Sequence, residues 1–224
     1  MSLKLVLGCM FSGKSTEIMR IINRLDTIDE RFLLIKHQID KRYSSNMVCT
    51  HNFVQRKCLS VKYLMPILET DEYRKANHII IEEAQFFEDL EEFVREAVDI
   101  DKKNVIAAGL DGDSDRNNFG EIHKLLPLCD DIVKLKAFCA ECKNGKEGIF
   151  SKRIVQEEGQ MCVGASNKYK SVCRECYLLN YDNEETDYLE EDEILFPEMD
   201  QIQNYIDTHG QYYLYLEMCN NFYM

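Results

Sequence analysis

Eight consecutive residues near the amino terminus have the composition of a phosphate-binding loop. Residues 8–15 read Gly-Cys-Met-Phe-Ser-Gly-Lys-Ser, which matches the pattern G-x-x-x-x-G-K-[ST] at every fixed position. The glycines let backbone N–H groups turn toward phosphate oxygens, while Lys14 supplies a positive charge and the Ser15 hydroxyl can reach Mg²⁺. We therefore predict a site for the phosphates of a nucleotide, formed by Gly8, Ser12, Gly13, Lys14, Ser15 and Thr16.

Two glutamates directly follow a short apolar strand farther along the chain. The sequence His78-Ile-Ile-Ile leads without a break into Glu82 and Glu83. In proteins with this kind of phosphate loop, an acidic residue near a neighbouring strand holds the metal that accompanies the phosphates. Adjacent strand residues point to opposite faces, so we expect one carboxylate to serve Mg²⁺ and the other an incoming nucleophile. The alternative is that both are solvated carboxylates at the amino end of the following helix.

Two pairs of cysteines stand in the second half of the chain. Cys139 and Cys142 form one C-x-x-C pair, and Cys173 and Cys176 form the other, with 30 residues between the pairs. Four thiolates supplied by two tight turns can close a tetrahedral structural zinc site. A redox-active disulfide is the alternative, although two similar pairs favour a metal over a single active dithiol.

Buried strands and helices must position these groups. Apolar runs predict strands at residues 3–8, 32–35, 78–81, 104–109 and 132–138. A helix is predicted from Ser15 to about Ile28, and apolar residues at helical spacing predict another over residues 87–100. Short apolar strands that alternate with helices are typical of a parallel sheet covered on both faces. The predicted fold class is α/β, with a P-loop NTPase-like parallel sheet flanked by helices and a small zinc-binding domain toward the carboxyl terminus.

The acidic charge of the chain is concentrated at one end. The 224 residues include 27 Lys plus Arg and 40 Asp plus Glu, a net charge of −13. Residues 175–224 contain 13 Asp or Glu and no Lys or Arg, so the charges of the preceding residues sum to zero. A body without a broad basic face argues against a nucleic-acid partner. There is no long apolar run and no signal-peptide pattern, so we expect no membrane partner and a cytoplasmic location.

Together these segments resemble the thymidine kinases of the human cytosolic and poxvirus type over about residues 5–177. The family's loop reads G-P-M-F-S-G-K-[ST], and this chain differs in having Cys9 in place of proline. The family's I-D-E-[GA]-Q-F-F segment appears at residues 81–87, with Glu82 in place of aspartate. Further family segments follow in order at residues 40–45, 49–51, 108–112, 133–137, 151–153 and 169–177.

The resemblance implies transfer of the γ-phosphoryl group of ATP to the 5′-hydroxyl of thymidine, which yields thymidine monophosphate for dTTP supply to DNA synthesis. It implies that Glu83 is the general base and that Ser15 and Glu82 serve Mg²⁺. It also implies that Lys14 is a second catalytic residue. Asp40 and Arg42 correspond to residues near the phosphates.

The resemblance also implies a nucleoside pocket and a lid. The residues that correspond to the family's pocket are Met10, Gln85, Phe86, Leu110, Phe119, Ser151, Gln160, Cys162, Val163, Gly164 and Tyr169. Zinc would anchor both ends of a loop that closes over the base. Ser114 stands where the family has a phenylalanine packed against the base, a change expected to broaden acceptance toward deoxyuridine. A homotetramer and feedback binding of dTTP are further expectations.

The expected organisation is a P-loop kinase domain at residues 1–136, a zinc-binding and substrate-lid (lasso) domain at 137–179, and an acidic, tyrosine-ended extension at 180–224. The alternative function is a nucleotide-dependent regulatory switch whose zinc module contacts a partner. Such a switch would not need the segment that contains Glu83, Gln85, Phe86 and Phe87, or the lid residue Tyr169.

Overall fold

A six-stranded parallel sheet forms the centre of the fold. The computed structural model describes residues 1–40, 47–49, 55–155 and 168–179. In chain order, the first half contains β1 (Ser2–Gly8), α1 (Lys14–Asp26), β2 (Phe32–His37), the hairpin β3 (Met47–Cys49) and β4 (Gln55–Lys57), β5 (Leu59–Val61), a 3₁₀ turn (Met65–Glu69), α2 (Asp71–Lys75) and β6 (His78–Glu82).

The second half contributes two further strands to the central sheet and then several smaller elements. It contains a 3₁₀ turn (Ala84–Phe86), α3 (Leu90–Arg95) continued by a π-helical turn (Glu96–Ile100), β7 (Asn104–Gly109), a 3₁₀ stretch (Ile122–Leu128), β8 (Asp131–Leu135), β9 (Ala137–Phe138), β10 (Glu147–Gly148), β11 (Phe150–Arg153), β12 (Tyr169–Val172) and α4 (Arg174–Leu178).

The strand order of the central sheet is β5-β2-β6-β7-β1-β8, and every neighbouring pair is parallel. Because parallel strands end at the same edge, the carboxyl ends of β1, β6 and β7 lie side by side. That edge carries the phosphate loop after Gly8, the two glutamates and the segment after Gly109. The predicted α/β fold with a parallel central sheet is confirmed.

Alternating strand residues supply two apolar layers, one on each face of the sheet. Val6 and Ile80 pack on the α1 side against Ile18 and Ile22. Leu5, Leu7, Ile79 and Ile81 face the other layer, with side chains of α3 that include Phe93. Full burial of one such side chain contributes about 1.5–3 kcal/mol, so the two layers fix the sheet on which the site is built.

Two predicted elements differ in their bounds. The predicted helix over 87–100 begins only at Leu90, because residues 84–86 form a 3₁₀ turn and the Asp89 carboxylate accepts bonds from Leu64 N (2.7 Å) and Met65 N (2.9 Å). The predicted strand 132–138 divides in two. β8 pairs with β1 only as far as Leu135, where β1 ends, and Ala137–Phe138 pairs with β10 instead.

The segments after β8 form two small antiparallel pairs, β9 with β10 and β11 with β12, followed by α4. All described residues fall within one compact unit, Met1–Asn183. The division at residues 136 and 179 stays a prediction, and the acidic extension lies outside the described residues. Among the described helices, none is long and apolar enough to cross a bilayer.

Candidate active site

The phosphate loop joins the end of β1 to the start of α1 through two glycines with positive φ. Gly8 has φ +151°, and a Cβ there would lie 2.5 Å from the Leu135 carbonyl oxygen and 2.7 Å from Ser12 Oγ. Gly13 has φ +89° and immediately precedes Lys14, the first residue of α1. Glycine is therefore required at position 8 for both conformation and space, and the loop delivers the amino end of α1 as an anion site.

Polar groups converge inside this loop. Lys14 is buried, and its Nζ donates hydrogen bonds to the carbonyl oxygens of Gly8 (3.1 Å) and Cys9 (2.8 Å). The Ser12 Oγ is also buried and makes no hydrogen bond within the described part of the chain. A buried ammonium group and an unsatisfied hydroxyl fit the negatively charged oxygens of a phosphate group.

The two glutamates at the end of β6 have different hydrogen-bond partners. The Ser15 hydroxyl donates a hydrogen bond to Glu82 Oε1, so the serine at the start of α1 meets the last residue of β6. Glu83 leaves the strand with φ +52° and ψ +46°, a conformation that non-glycine residues rarely adopt. Both carboxylates are buried. A hydroxyl and a carboxylate oxygen are hard ligands, so Ser15 and Glu82 form a donor set that fits Mg²⁺.

Gln85 connects Glu83 to the end of β7. Its Nε2 donates to Glu83 Oε2 (2.8 Å), and its Oε1 accepts from the Leu110 backbone N–H (3.1 Å). Close packing makes the connection possible. A Cβ on Gly109 would lie 2.5 Å from Gln85 Oε1, and one on Gly120 would lie 2.0 Å from the Gln85 carbonyl oxygen. The Glu83 carboxylate is thus held in one orientation by an amide that is itself fixed.

Aromatic rings lie beside these carboxylates. Phe86 and Phe119 pack edge to face with their centroids 5.6 Å apart, and Phe119 is buried. The ring of His37, at the end of β2, lies 6.0 Å from Phe86 and 4.9 Å from Phe87. Burial lowers the pKa of His37, so its neutral imidazole packs as part of this group. Flat apolar surfaces next to a fixed carboxylate suit a planar substrate such as a nucleobase.

The phosphate loop also contacts the segment that follows the first cysteine pair. Met10 N donates to Ser151 Oγ on β11 (2.9 Å), and Cys9 Sγ donates to the Gly148 carbonyl oxygen on β10 (3.3 Å). Burial is the main reason that the pKa of the Cys9 thiol is raised, which favours the donating thiol form. These two bonds hold the small strands β10 and β11 against the phosphate loop.

The four predicted zinc ligands come together. The Sγ atoms of Cys139, Cys142, Cys173 and Cys176 all lie within 4.8 Å of one another. We call this group the four-cysteine cluster. Cys142 Sγ lies 3.3 Å from Cys176 Sγ and 3.7 Å from Cys173 Sγ, and none of these cysteines is in a disulfide.

The chemistry of the cluster suits a metal. Burial acts to raise the pKa of Cys139, but backbone N–H groups, that of Cys142 foremost, outweigh it and hold the pKa at about 6. A thiolate is the form that binds metal, and four sulfur atoms at this separation fit tetrahedral zinc. A redox-active disulfide would need only two of the four cysteines.

The comparison with known families decides what this site belongs to. The family model described as "Thymidine kinase" matches residues 1–177. The chain belongs to the thymidine kinase family. The resemblance stated from the sequence motifs is therefore confirmed, and so is the expectation that the chain is an enzyme of this kind. The matched residues include the phosphate loop, both glutamates and all four cysteines of the cluster.

Individual members of the family are similar to the chain over the same region. The thymidine kinase of sheeppox virus is 39% identical over 175 residues, which cover 78% of this chain and 96% of that protein. The human cytosolic thymidine kinase is 41% identical over 176 residues, 79% of this chain and 73% of that protein. The thymidine kinase of rabbit fibroma virus is 38% identical over 174 residues, with coverages of 78% and 94%.

The structure describes most of the residues that the sequence predicts for this thymidine kinase family site. Asp40 is buried just after β2, and Tyr169 is buried in β12. The remaining predicted residues lie outside the described part of the chain, namely Arg42, Gln160, Cys162, Val163 and Gly164.

Sequence reasoning missed two residues at the site. Lys36 is a buried lysine in β2, and its Nζ donates to the carbonyl oxygen of Asp40 (3.1 Å). A lysine at the end of an otherwise apolar strand is the signal that could have identified it. Tyr177, which follows the last cysteine, is fully buried and reaches the segment after β7. No local pattern predicts that contact.

Proposed function

We propose that this enzyme transfers the γ-phosphoryl group of ATP to the 5′-hydroxyl of thymidine, which gives thymidine monophosphate and ADP. The observation that carries the proposal is the buried Glu83 carboxylate, which Gln85 holds at the sheet edge that also carries the phosphate loop and the Phe86–Phe119 aromatic pair. Membership of the thymidine kinase family supports the same conclusion. A phosphate site, a fixed carboxylate and an apolar pocket are the parts that phosphoryl transfer to a nucleoside needs.

On the donor side, the chain binds and orients the triphosphate. Backbone N–H groups of the loop and of the first turn of α1, which includes Thr16, surround the phosphates. Lys14 exchanges its bonds to neutral carbonyls for stronger ones to phosphate oxygens, and Ser12 donates its hydroxyl. Asp40 and Arg42 are proposed to act near the same phosphates. Mg²⁺ accompanies ATP and neutralises part of its charge, and Ser15 and Glu82 are the residues that would hold it.

On the acceptor side, Glu83 takes the proton. As the 5′-oxygen of thymidine bonds to the γ-phosphorus, its proton passes to the Glu83 carboxylate. The bond between the γ-phosphorus and the bridging oxygen breaks, and ADP leaves. Since the Glu83 carboxylate is already fixed by Gln85, little reorganisation precedes this step, and catalysis rests on position and charge.

The nucleoside is proposed to bind among residues from both halves of the chain. Met10 and Ser151 are linked by a hydrogen bond, and Phe86 and Phe119 provide aromatic surface. Gln85, Leu110 and Tyr169 complete the described part of the pocket, and Gln160, Cys162, Val163 and Gly164 are proposed to form the lid. Structural zinc in the four-cysteine cluster would anchor both ends of that lid. Ser114 is proposed to broaden acceptance toward deoxyuridine.

A nucleoside panel tests this proposal. The purified chain is incubated with ATP, Mg²⁺ and, separately, thymidine, deoxyuridine and deoxycytidine, and the monophosphates are separated by chromatography. We expect thymidine monophosphate to form fastest, with deoxyuridine as the second substrate. ATP binding without any nucleoside turnover would instead support the alternative of a nucleotide-dependent switch.

The wider context of the reaction is also proposed. The product would enter dTTP supply for DNA synthesis, dTTP would inhibit the enzyme as its end product, and the protein would act as a cytoplasmic homotetramer. Light scattering measures the oligomer, and adding dTTP to the thymidine assay measures the inhibition. A monomer that dTTP does not inhibit would contradict both expectations.

A further inference from the structure

A buried hydrogen bond joins the carboxyl end of the four-cysteine cluster to the segment after β7. The Tyr177 hydroxyl donates to the Ser114 carbonyl oxygen at 2.7 Å, across 63 residues of sequence. Tyr177 is 1% exposed and Ser114 7% exposed, so water does not compete for this bond. Tyr177 lies in α4 directly after Cys176, which makes its position depend on the cluster.

The segment that receives this bond, residues 111–118, has internal order of its own. Asp113 Oδ1 accepts hydrogen bonds from the backbone N–H groups of Asp115 (2.9 Å) and Asn117 (2.8 Å). The Asp113 N–H in turn donates to the Asn117 carbonyl oxygen (3.1 Å). The 111–118 segment is therefore a turn closed by the Asp113 side chain.

The amino-terminal end of the 111–118 segment is held by β8 and by the 3₁₀ stretch at residues 122–128. The Asp111 carboxylate forms an ion pair with Lys134 Nζ (2.6 Å), and the Asp111 carbonyl oxygen lies 2.8 Å from His123 Nε2. Farther along the turn, the Ser114 carbonyl oxygen reaches Tyr177. The segment thus bridges the sheet edge and the small cysteine-bearing elements.

A second contact between the same two parts involves no hydroxyl group. The Arg116 guanidinium lies 4.5 Å from the centroid of the Tyr177 ring and 5.6 Å from that of Phe150. The two rings pack together with centroids 5.2 Å apart. Arg116 is itself exposed, with φ +65°. Attraction between a guanidinium and two aromatic faces holds the tip of the turn on α4 and β11.

We infer that Tyr177 is a positioning residue for nucleoside recognition, which holds the 111–118 segment at the distance that the four-cysteine cluster sets. The inference rests on the proposed function, because the segment runs between Leu110 and Phe119, two proposed pocket residues. Tyr177 acts through this segment, which it contacts by the hydrogen bond to Ser114 and by the ring contact with Arg116. Loss of these Tyr177 contacts is therefore expected to weaken binding of the nucleoside and to leave ATP binding unchanged.

The test compares Tyr177→Phe and Arg116→Met with the wild-type enzyme. Each variant is expected to raise KM for thymidine about 5- to 30-fold, while kcat and KM for ATP stay within about 3-fold. Tyr73→Phe is the matched control, because it also removes a buried tyrosine hydroxyl that donates to an oxygen, Asp101 Oδ2 at 2.6 Å, near the opposite edge of the sheet. It is expected to leave both KM values unchanged.

Zinc content and melting temperature are measured on every variant. If Tyr177 and Arg116 had only a structural role, their replacement would lower these two quantities without raising KM for thymidine relative to KM for ATP. A Tyr177→Phe enzyme that is folded and zinc-loaded, with unchanged KM for thymidine, overturns the inference. If that variant does not fold, unchanged KM for thymidine in Arg116→Met overturns it. A wild-type enzyme that does not phosphorylate thymidine overturns the proposed function, and this inference with it.

Discussion

The Gln85 side-chain amide donates a hydrogen bond of 2.8 Å to Glu83 Oε2 while its oxygen accepts one from the Leu110 backbone. One side chain thus couples the proposed base to the strand end that borders the nucleoside pocket. Glu83 itself has φ +52°, a strained backbone that the surrounding packing must maintain. The orientation of the Glu83 carboxylate and the position of Leu110 in the pocket wall therefore depend on the same side chain, Gln85.

Replacement of Glu83 by glutamine keeps the size of the side chain and removes its ability to accept a proton. We expect kcat to fall by about 10²- to 10⁴-fold, because the attacking hydroxyl loses its base. The affinity for ATP, measured by calorimetry, should stay within about 3-fold, since Glu83 is proposed to act on the accepting hydroxyl and not on the phosphates of ATP. Glu88→Gln is the control, as it changes an exposed glutamate five residues away. Turnover that survives in Glu83→Gln would show that another group accepts the proton.

Gly120→Ala should disturb the packing that fixes Gln85. Gly120 has φ +60°, and an added Cβ would lie 2.0 Å from the Gln85 carbonyl oxygen. Gly145 has φ +84° with nothing within 4 Å of the same added atom, so Gly145→Ala is a matched control for backbone strain alone.

We expect Gly145→Ala to cost about 1 kcal/mol and Gly120→Ala more than about 3 kcal/mol. Thermal unfolding would register these as melting temperatures lower by about 2–4 °C and about 6–12 °C. Equal decreases in melting temperature in the two variants would mean that residue 120 does not closely approach the Gln85 carbonyl oxygen.

Cys142→Ser tests the metal at the four-cysteine cluster. The wild-type protein should contain about one zinc per chain by elemental analysis, since four thiolates fit one tetrahedral ion. The variant should lose most of that zinc and melt roughly 5–10 °C lower, because a structural metal contributes to folding. Cys129→Ser is the control, as this free cysteine lies outside the cluster. Wild-type protein that is folded and active without zinc would contradict the prediction.

The buried Tyr73 hydroxyl should make stability depend on alkaline pH. Burial, together with the hydrogen bond to Asp101, raises the pKa of Tyr73 above its ordinary value of 10.0. Below that pH both folded and unfolded chains keep the proton, and Tyr73→Phe should be less stable than wild type by about 1 kcal/mol.

Above pH 10 only the unfolded chain loses this proton, so wild-type stability falls by up to about 1.4 kcal/mol per pH unit relative to Tyr73→Phe. Urea unfolding of both proteins at pH 8 and near pH 11 measures the difference, and effects of other titrating groups largely cancel. A difference that does not change with pH would contradict the raised pKa.

Local patterns in the sequence were sufficient to predict the parallel sheet and many residues of the candidate site. The phosphate loop depends on two glycines and a strand end, and the cysteine pairs depend on tight turns, so neighbouring residues determine their geometry. Alternation along a strand predicts different roles for Glu82 and Glu83. Ser15 donates to Glu82 and Gln85 donates to Glu83, while the roles themselves stay a prediction.

The remaining features depend on contacts between distant parts of the chain. Cys9 donates to Gly148 across 139 residues, and Tyr177 donates to Ser114 across 63. Neither partner accepts through a side chain, so the sequence at positions 148 and 114 carries no sign of the bond. The interruption of the strand predicted at residues 132–138 has the same origin, because it depends on where β1 ends.

Phosphoryl transfer to the 5′-hydroxyl of thymidine is tested most directly by following the label of γ-labelled ATP. Wild-type enzyme is incubated with γ-labelled ATP and Mg²⁺ together with thymidine or with 5′-deoxythymidine, which lacks the accepting hydroxyl. We expect labelled thymidine 5′-monophosphate in the first reaction and no labelled nucleotide product in the second. Bound or hydrolysed ATP without labelled thymidine monophosphate would contradict this expectation.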